Sequence, residues 1–159
     1  MHFFFLLVLL LLAAAVHASL KKERTVAHVA RLVLMYVLVG YCGVPMLGVS
    51  LWALMSPDGA AAFFGFGPAG SLLAFFGYAF LGMSLLSLLA LRYRGSFLIA
   101  PAVCWAIYWG GATTVHLTAD GQRAMHSHGG ALEVFASHGL IAVILVIALL
   151  ASGLLRERT

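Results

Sequence analysis

Five stretches of the chain carry no Asp, Glu, Lys or Arg: residues 1–20, 32–57, 59–91, 95–119 and 134–155. Each meets or approaches the ~20 apolar residues that a helix needs to cross ~30 Å of hydrocarbon. Inside lipid every backbone amide must be bonded within its own segment or in a closed barrel. The runs are continuous rather than alternating, which selects helices. The third run exceeds one crossing, and Gly65, Gly67, Pro68 and Gly70 leave only its second half for a helix. The pattern predicts an all-α, polytopic membrane protein with five transmembrane helices, at residues 3–20, 28–55, 72–91, 97–118 and 132–155. The first would be an N-terminal anchor (domain 1–25, with its basic turn). The other four would form an antiparallel bundle (domain 26–159) with a short interfacial helix near 57–66. Composition agrees: 9% of the 159 residues are charged, 64% are hydrophobic and the mean hydropathy is +1.07. A soluble domain carries ~25% charge, so a cytosolic enzyme, a disordered tail and a nucleic-acid-binding module are excluded. Membrane lipid is the expected surrounding.

The basic residues give an orientation. Lys and Arg favour the cytoplasmic flank of a span. With the N-terminus outside, Lys21, Lys22, Arg24, Arg31, Arg92, Arg94, Arg156 and Arg158 all fall on the cytoplasmic side, leaving Arg123 alone outside. The expectation is a multi-pass cell-membrane protein with its N-terminus outside and its C-terminus cytoplasmic. The first run also resembles a signal peptide, with Ala-x-Ala-like residues Val16-His17-Ala18 at its end. It lacks the basic start of one, and cleavage there would put Lys21, Lys22 and Arg24 on the wrong side.

Local features mark the interior. Gly40, Gly43 and Pro45 predict a kink near Tyr41, because proline removes an amide donor and crowds the preceding turn. Ser56 is placed to cap a short helix that opens with Pro57. Cys42 and Cys104 both lie in apolar runs and read as small buried side chains rather than a disulfide or zinc pair. On the fourth span Trp105, Trp109, Ala112 and His116 share a face, while Ala102, Ala106 and Gly110 form a small-residue ridge for close helix approach. Trp105, Trp109 and His116 are candidate contacts for a quinone, pigment or haem; the indoles serve equally as filling between helices.

Histidine placement is the most chemically suggestive feature. His116, His126, His128 and His138, with Asp120 and Glu133, lie on the outer side and form the candidate metal set. Neutral imidazole suits Zn, Cu, Fe and Ni, and His126-Ser127-His128 offers two nitrogens to one ion. An ionisable group within a span is a functional pointer by default; His138 fits that description best. Against a site stand the lack of a standard zinc spacing and the ~140° that separates Glu133 from His138 on a helix. The same residues also read as interfacial polar groups and caps, or as a proton relay. No phosphate loop, nucleophile elbow, HExxH motif or paired carboxylates occurs in the sequence, so the reading leans away from an enzyme.

From Leu34 to Leu155 the chain resembles a family of small, uncharacterised bacterial membrane proteins with four helices. The motifs are an outer segment "SPDGAAAFFGFGPAGS", a Gly-containing helix "FFGYAFLGMSLLSLL", a basic turn "RYRG" and a Gly-to-His stretch "WGGATTVHL". DoxX-like proteins share this layout more distantly. The resemblance implies a bacterial inner-membrane location and no assigned activity; His116 is the residue that maps onto it, and the last loop departs from the pattern in its His-rich "HSHGGALE". Three functions are compatible with these features. The first is an accessory subunit of a larger membrane complex, with other transmembrane subunits or a homo-oligomer as partners. The second is an outer-face protein binding a transition metal, haem or quinone. The third is a small carrier or channel, for which the ionisable groups at mid-membrane are few.

Overall fold

A computed structural model describes residues 2–21, 25–63, 70–118 and 135–156; the side chains of His2, Phe3 and Ser137 are not described. Among these residues the chain is helical, with no strand. The helices are α1 (His2–Ser19), α2 (Val26–Tyr36), α3 (Val44–Met55), α4 (Pro57–Phe63), α5 (Gly70–Leu89), α6 (Ile99–Leu117) and α7 (Leu140–Ala151). A π-helical segment, Val37–Gly43, joins α2 to α3; a second, Phe135–Gly139, leads into α7; a 3₁₀ turn, Gly95–Leu98, leads into α6.

By length and composition three continuous helices can cross a membrane: Val26–Met55, Gly70–Leu89 and Gly95–Leu117. Phe4–Ser19 and Leu140–Ala151 are shorter apolar helices. Each overlaps an expected span, and the start of the expected fifth span lies outside the described residues. Large apolar side chains cover the outside of the bundle, among them Phe75, Tyr78 and Leu85 on α5 and Ile107 on α6. Such a surface suits lipid as its solvent.

Local chemistry sets the boundaries. Thr25 caps α2 by accepting the His28 amide at 3.2 Å. The expected kink takes the form of a widened turn. Pro45, in the first turn of α3, cannot donate to the carbonyl one turn back, and the chain just before it runs in π geometry, with the Val44 amide bonded to the Val39 carbonyl. Helix α4 begins at Pro57 directly after Ser56, as read from the sequence, and ends at Phe63 as far as it is described.

Neighbouring helices run antiparallel. Leu10 of α1 lies against Gly40, and His17 Nδ1 shares a 3.2 Å hydrogen bond with the Tyr36 hydroxyl. Gly77 of α5 faces Ala53 and Leu54 of α3, while Leu88 at its other end reaches Gly43. Trp105 Nε1 of α6 donates to Ser87 Oγ of α5 at 2.7 Å, and Ser87 in turn donates to the Met83 carbonyl at 3.0 Å. Gly110 of α6 approaches Ala142 of α7, as the small-residue ridge predicts. Arg31 of α2 donates from Nε to the Ser152 carbonyl at the end of α7, 3.0 Å away. The α2–α3 column, α5, α6 and α7 thus close a four-membered ring, with α1 packed on its outside through Leu7, Ala14 and Ala18. Alternating direction brings the turns after α1 and α5 and the end of α7 to one end, here called the basic end.

Thr113 and Thr114 bond back to the carbonyls of Trp109 and Gly110, as expected of hydroxyls in an apolar helix. One expectation is corrected. Cys42 is buried, but Cys104 is exposed. It lies beside exposed Val103 and one turn before exposed Ile107, on the outer stripe of α6, so its apolar surroundings in sequence denote the outside of the bundle rather than its core.

Candidate functional site

Within the largely aliphatic core of the ring, aromatic side chains form a chain of contacts along the bundle. Phe80 stacks on Trp105 at 6.3 Å between centroids, and Trp105 stacks on Trp109 at 6.1 Å. Tyr41, from the first π-helical segment, meets Trp109 edge to face at 5.7 Å, and Tyr108 packs against Trp109 at 5.0 Å. Trp105 is fully buried and Trp109 nearly so. Protein rings cover the indoles on several sides, and the donor of Trp105 is satisfied by Ser87.

Towards the end of the bundle remote from the basic turns, this chain passes into imidazole. Trp109 contacts His138 at 5.1 Å, and His138 meets His116 edge to face, also at 5.1 Å. The two histidines come from α6 and from the second π-helical segment, 22 residues apart in sequence. Both are half-buried. Antiparallel packing of α6 on α7 produces the encounter. Gly139 suits it: a Cβ there would sit 2.7 Å from the Phe135 ring of its own turn and 3.3 Å from Thr113 Cγ2 on α6. With hydrogen at this position, the backbone beside His138 can close onto α6.

Of the six candidate metal residues, the fold therefore brings together His116 and His138. Asp120, His126, His128 and Glu133 lie outside the described residues. Among the described residues no group of three or more His, Cys, Asp or Glu side chains converges. Of the three candidate cofactor contacts, Trp105 and Trp109 stack on each other, and His116 is joined to Trp109 through His138. The sequence reading missed Tyr41 as a member of this cluster. Its signal was present: a tyrosine set between Gly40 and Gly43 just before Pro45, where the helix was expected to depart from α geometry.

Both π-helical segments contribute to the cluster, one through Tyr41 and the other through His138. Such widened turns inside helices are frequent at functional sites, because the extra residue per turn re-aims a side chain.

A family model described as a family of unknown function, DUF6790, matches residues 1–158. The chain belongs to the DUF6790 family. The match takes in α1 as well as the ring, so the first helix is part of the family's pattern, which the motif resemblance between Leu34 and Leu155 had left out. No curated protein and no solved structure matches the chain. The family's function is unknown, and the helical, membrane-compatible architecture is that of the structure itself.

Proposed function

We propose that this chain is a membrane-integral subunit that holds a first-row transition ion at its outer end, with His116 and His138 as two of the ligands. One observation carries the reading: the two imidazoles, from different helices, meet with centroids 5.1 Å apart. Two imidazoles on one tetrahedral ion, at metal–nitrogen distances of ~2.0–2.1 Å, have centroids roughly 5 Å apart. Imidazoles on opposite faces of a haem iron lie farther apart with the porphyrin between them, so the edge contact favours a bare ion over haem. Trp109, packed on His138, would hold that ring in place as outer partners of metal ligands do. The remaining ligands would come from Asp120, His126, His128 and Glu133 on the segment that joins α6 to α7.

The test is ion retention by the full chain. Protein purified in detergent, stripped with chelator, reloaded with Cu(II), Zn(II) or Co(II) and desalted should keep one ion per chain by elemental analysis. His116→Ala and His138→Ala should each reduce retention at least tenfold. Wild-type protein that keeps no ion, or a double variant that keeps as much as wild type, would refute the proposal.

A separate observation supports the subunit role. Gly48 on α3, Gly82 on α5 and Gly111 on α6 point outwards, and among the described residues nothing lies within 4 Å of the place a Cβ would take on any of them. Outward glycines allow another helix to approach closely in lipid.

The orientation belongs to the same proposal: N-terminus outside, basic end cytoplasmic. In a Cys104→Ser background, Gly121→Cys should react with a membrane-impermeant maleimide in intact cells, and Ser96→Cys only after permeabilisation. The reverse pattern would turn the protein over and put the histidines inside.

A further inference from the structure

On the flank of the ring, α1, α2 and α7 leave an apolar groove of about 430 Å³ between them. Leu11, Val29, Ala30, Val33, Ile147 and Ala148 line it, and its wall is almost wholly apolar. Its floor includes the small side chains Ala30 and Ala148. It runs to Val26 and Ala151, the first residue of α2 and the last of α7, and so opens at the basic end. There the residue next to Ala30 is Arg31, whose guanidinium lies over the end of α7, bonded to the Ser152 carbonyl and 4.0 Å from the Cβ position of Gly153. Lys21 is exposed just beyond α1, and Arg156 is exposed just beyond α7. Lys22, Glu23, Arg24, Glu157 and Arg158, adjacent in sequence, lie outside the described residues and form no part of the site.

We infer that this groove holds one acyl chain of an anionic phospholipid whose phosphate rests on Lys21, Arg31 and Arg156 at its mouth. The two ends of the groove offer complementary chemistry to the two ends of such a lipid. A groove facing lipid is filled by whatever the bilayer supplies, and an almost wholly apolar wall suits an acyl chain. What makes the occupant specific is the cationic mouth. Basic pockets between transmembrane helices select anionic head groups, and Arg is suited to phosphate because its planar fork donates two hydrogen bonds at once. Arg31 already donates one bond, through Nε, to the end of α7. A phosphate beside it would tie α2, α7 and the lipid together. The groove mouth is at the opposite end of the bundle from the histidine pair, and lipid binding there does not depend on that pair.

Native mass spectrometry of the full chain decides. The detergent-solubilised protein is offered phosphatidylglycerol and phosphatidylcholine of identical acyl chains in equal amounts. One phosphatidylglycerol per chain should be retained, at an enrichment of about fivefold or more, the selectivity expected of one basic group near a head group. Ala148→Leu, which fills the groove, should abolish retention of that lipid. The pair Lys21→Gln and Arg31→Gln keeps a donor at residue 31 and leaves the groove open; it should remove the enrichment while a lipid of either kind still binds. Equal retention of the two lipids by wild type would overturn the inference, as would undiminished phosphatidylglycerol binding by both variants. A dimer in wild type that Ala148→Leu dissociates would overturn it in favour of a second copy.

Discussion

Trp109→Ala should destabilise the protein by about 3 kcal/mol or more and abolish ion retention at the histidine pair. Trp109 is the junction of the aromatic chain, touching Tyr41, Trp105, Tyr108 and His138, and it is 6% exposed. In lipid the usual transfer term does not apply, because the alternative surroundings are as apolar as the core. The loss comes from packing. A cavity term of about 24 cal/mol per Å³ over the ~100 Å³ emptied by truncation is already ~2.4 kcal/mol. The four ring contacts add to it, since an aromatic pair is worth ~0.5–1.5 kcal/mol beyond its buried area. Unfolding in graded SDS, followed by circular dichroism, would measure the difference. Trp109→Phe keeps a flat ring against His138 and should retain most of the stability and the ion. If Trp109→Ala binds the ion as well as wild type, Trp109 has no part in positioning His138, even if the fold is weakened.

This cluster also marks the boundary between what sequence discloses and what it does not. The positions of α1, α2–α3, α5 and α6 were legible because a charge-free run long enough for lipid has few other solutions, and their ends fall near Thr25, Pro57 and the basic turn 92–94. The small-residue ridge on α6 also read correctly, since Gly110 meets Ala142. The π-helical register of Val37–Gly43 did not, because hydropathy carries no information about which carbonyl an amide chooses. Pro45 announced an irregularity without fixing its kind. The pairing of His116 with His138 was hidden for a similar reason. Sequence singled out His138 as an ionisable group within a span and His116 through the resemblance, but not that they meet; the rotation of α6 against the turn before α7 brings their rings together. The Arg31–Ser152 bond, across 121 residues, had no local signal.

The matched substitutions Gly77→Leu and Gly82→Leu separate packing inside the ring from packing outside it. The two glycines lie on α5, five residues apart, and face opposite surroundings. A Cβ at Gly77 would stand 3.1 Å from Leu54 Cγ and 3.3 Å from Ala53 Cβ, whereas one at Gly82 meets nothing within 4 Å. Leu54 can turn aside, but the Ala53 Cβ is fixed to the α3 backbone, so a leucine at 77 must push α5 away from α3. Overpacking of this kind costs about 1–3 kcal/mol, and more where the backbone must move. Gly77→Leu should therefore lower the unfolding midpoint of the isolated protein markedly. Gly82→Leu should leave it within about 0.5 kcal/mol of wild type, as an outward substitution does. The second variant then becomes a probe of assembly, because its fold is intact and only its outer face has changed. Copurification from membranes in mild detergent should yield a partner subunit with wild type and lose it with Gly82→Leu, since a bulky side chain bars close approach of another helix. A stable wild-type monomer with no companion, indistinguishable from Gly82→Leu, would remove the subunit reading and leave the histidine pair to be judged on its ion alone.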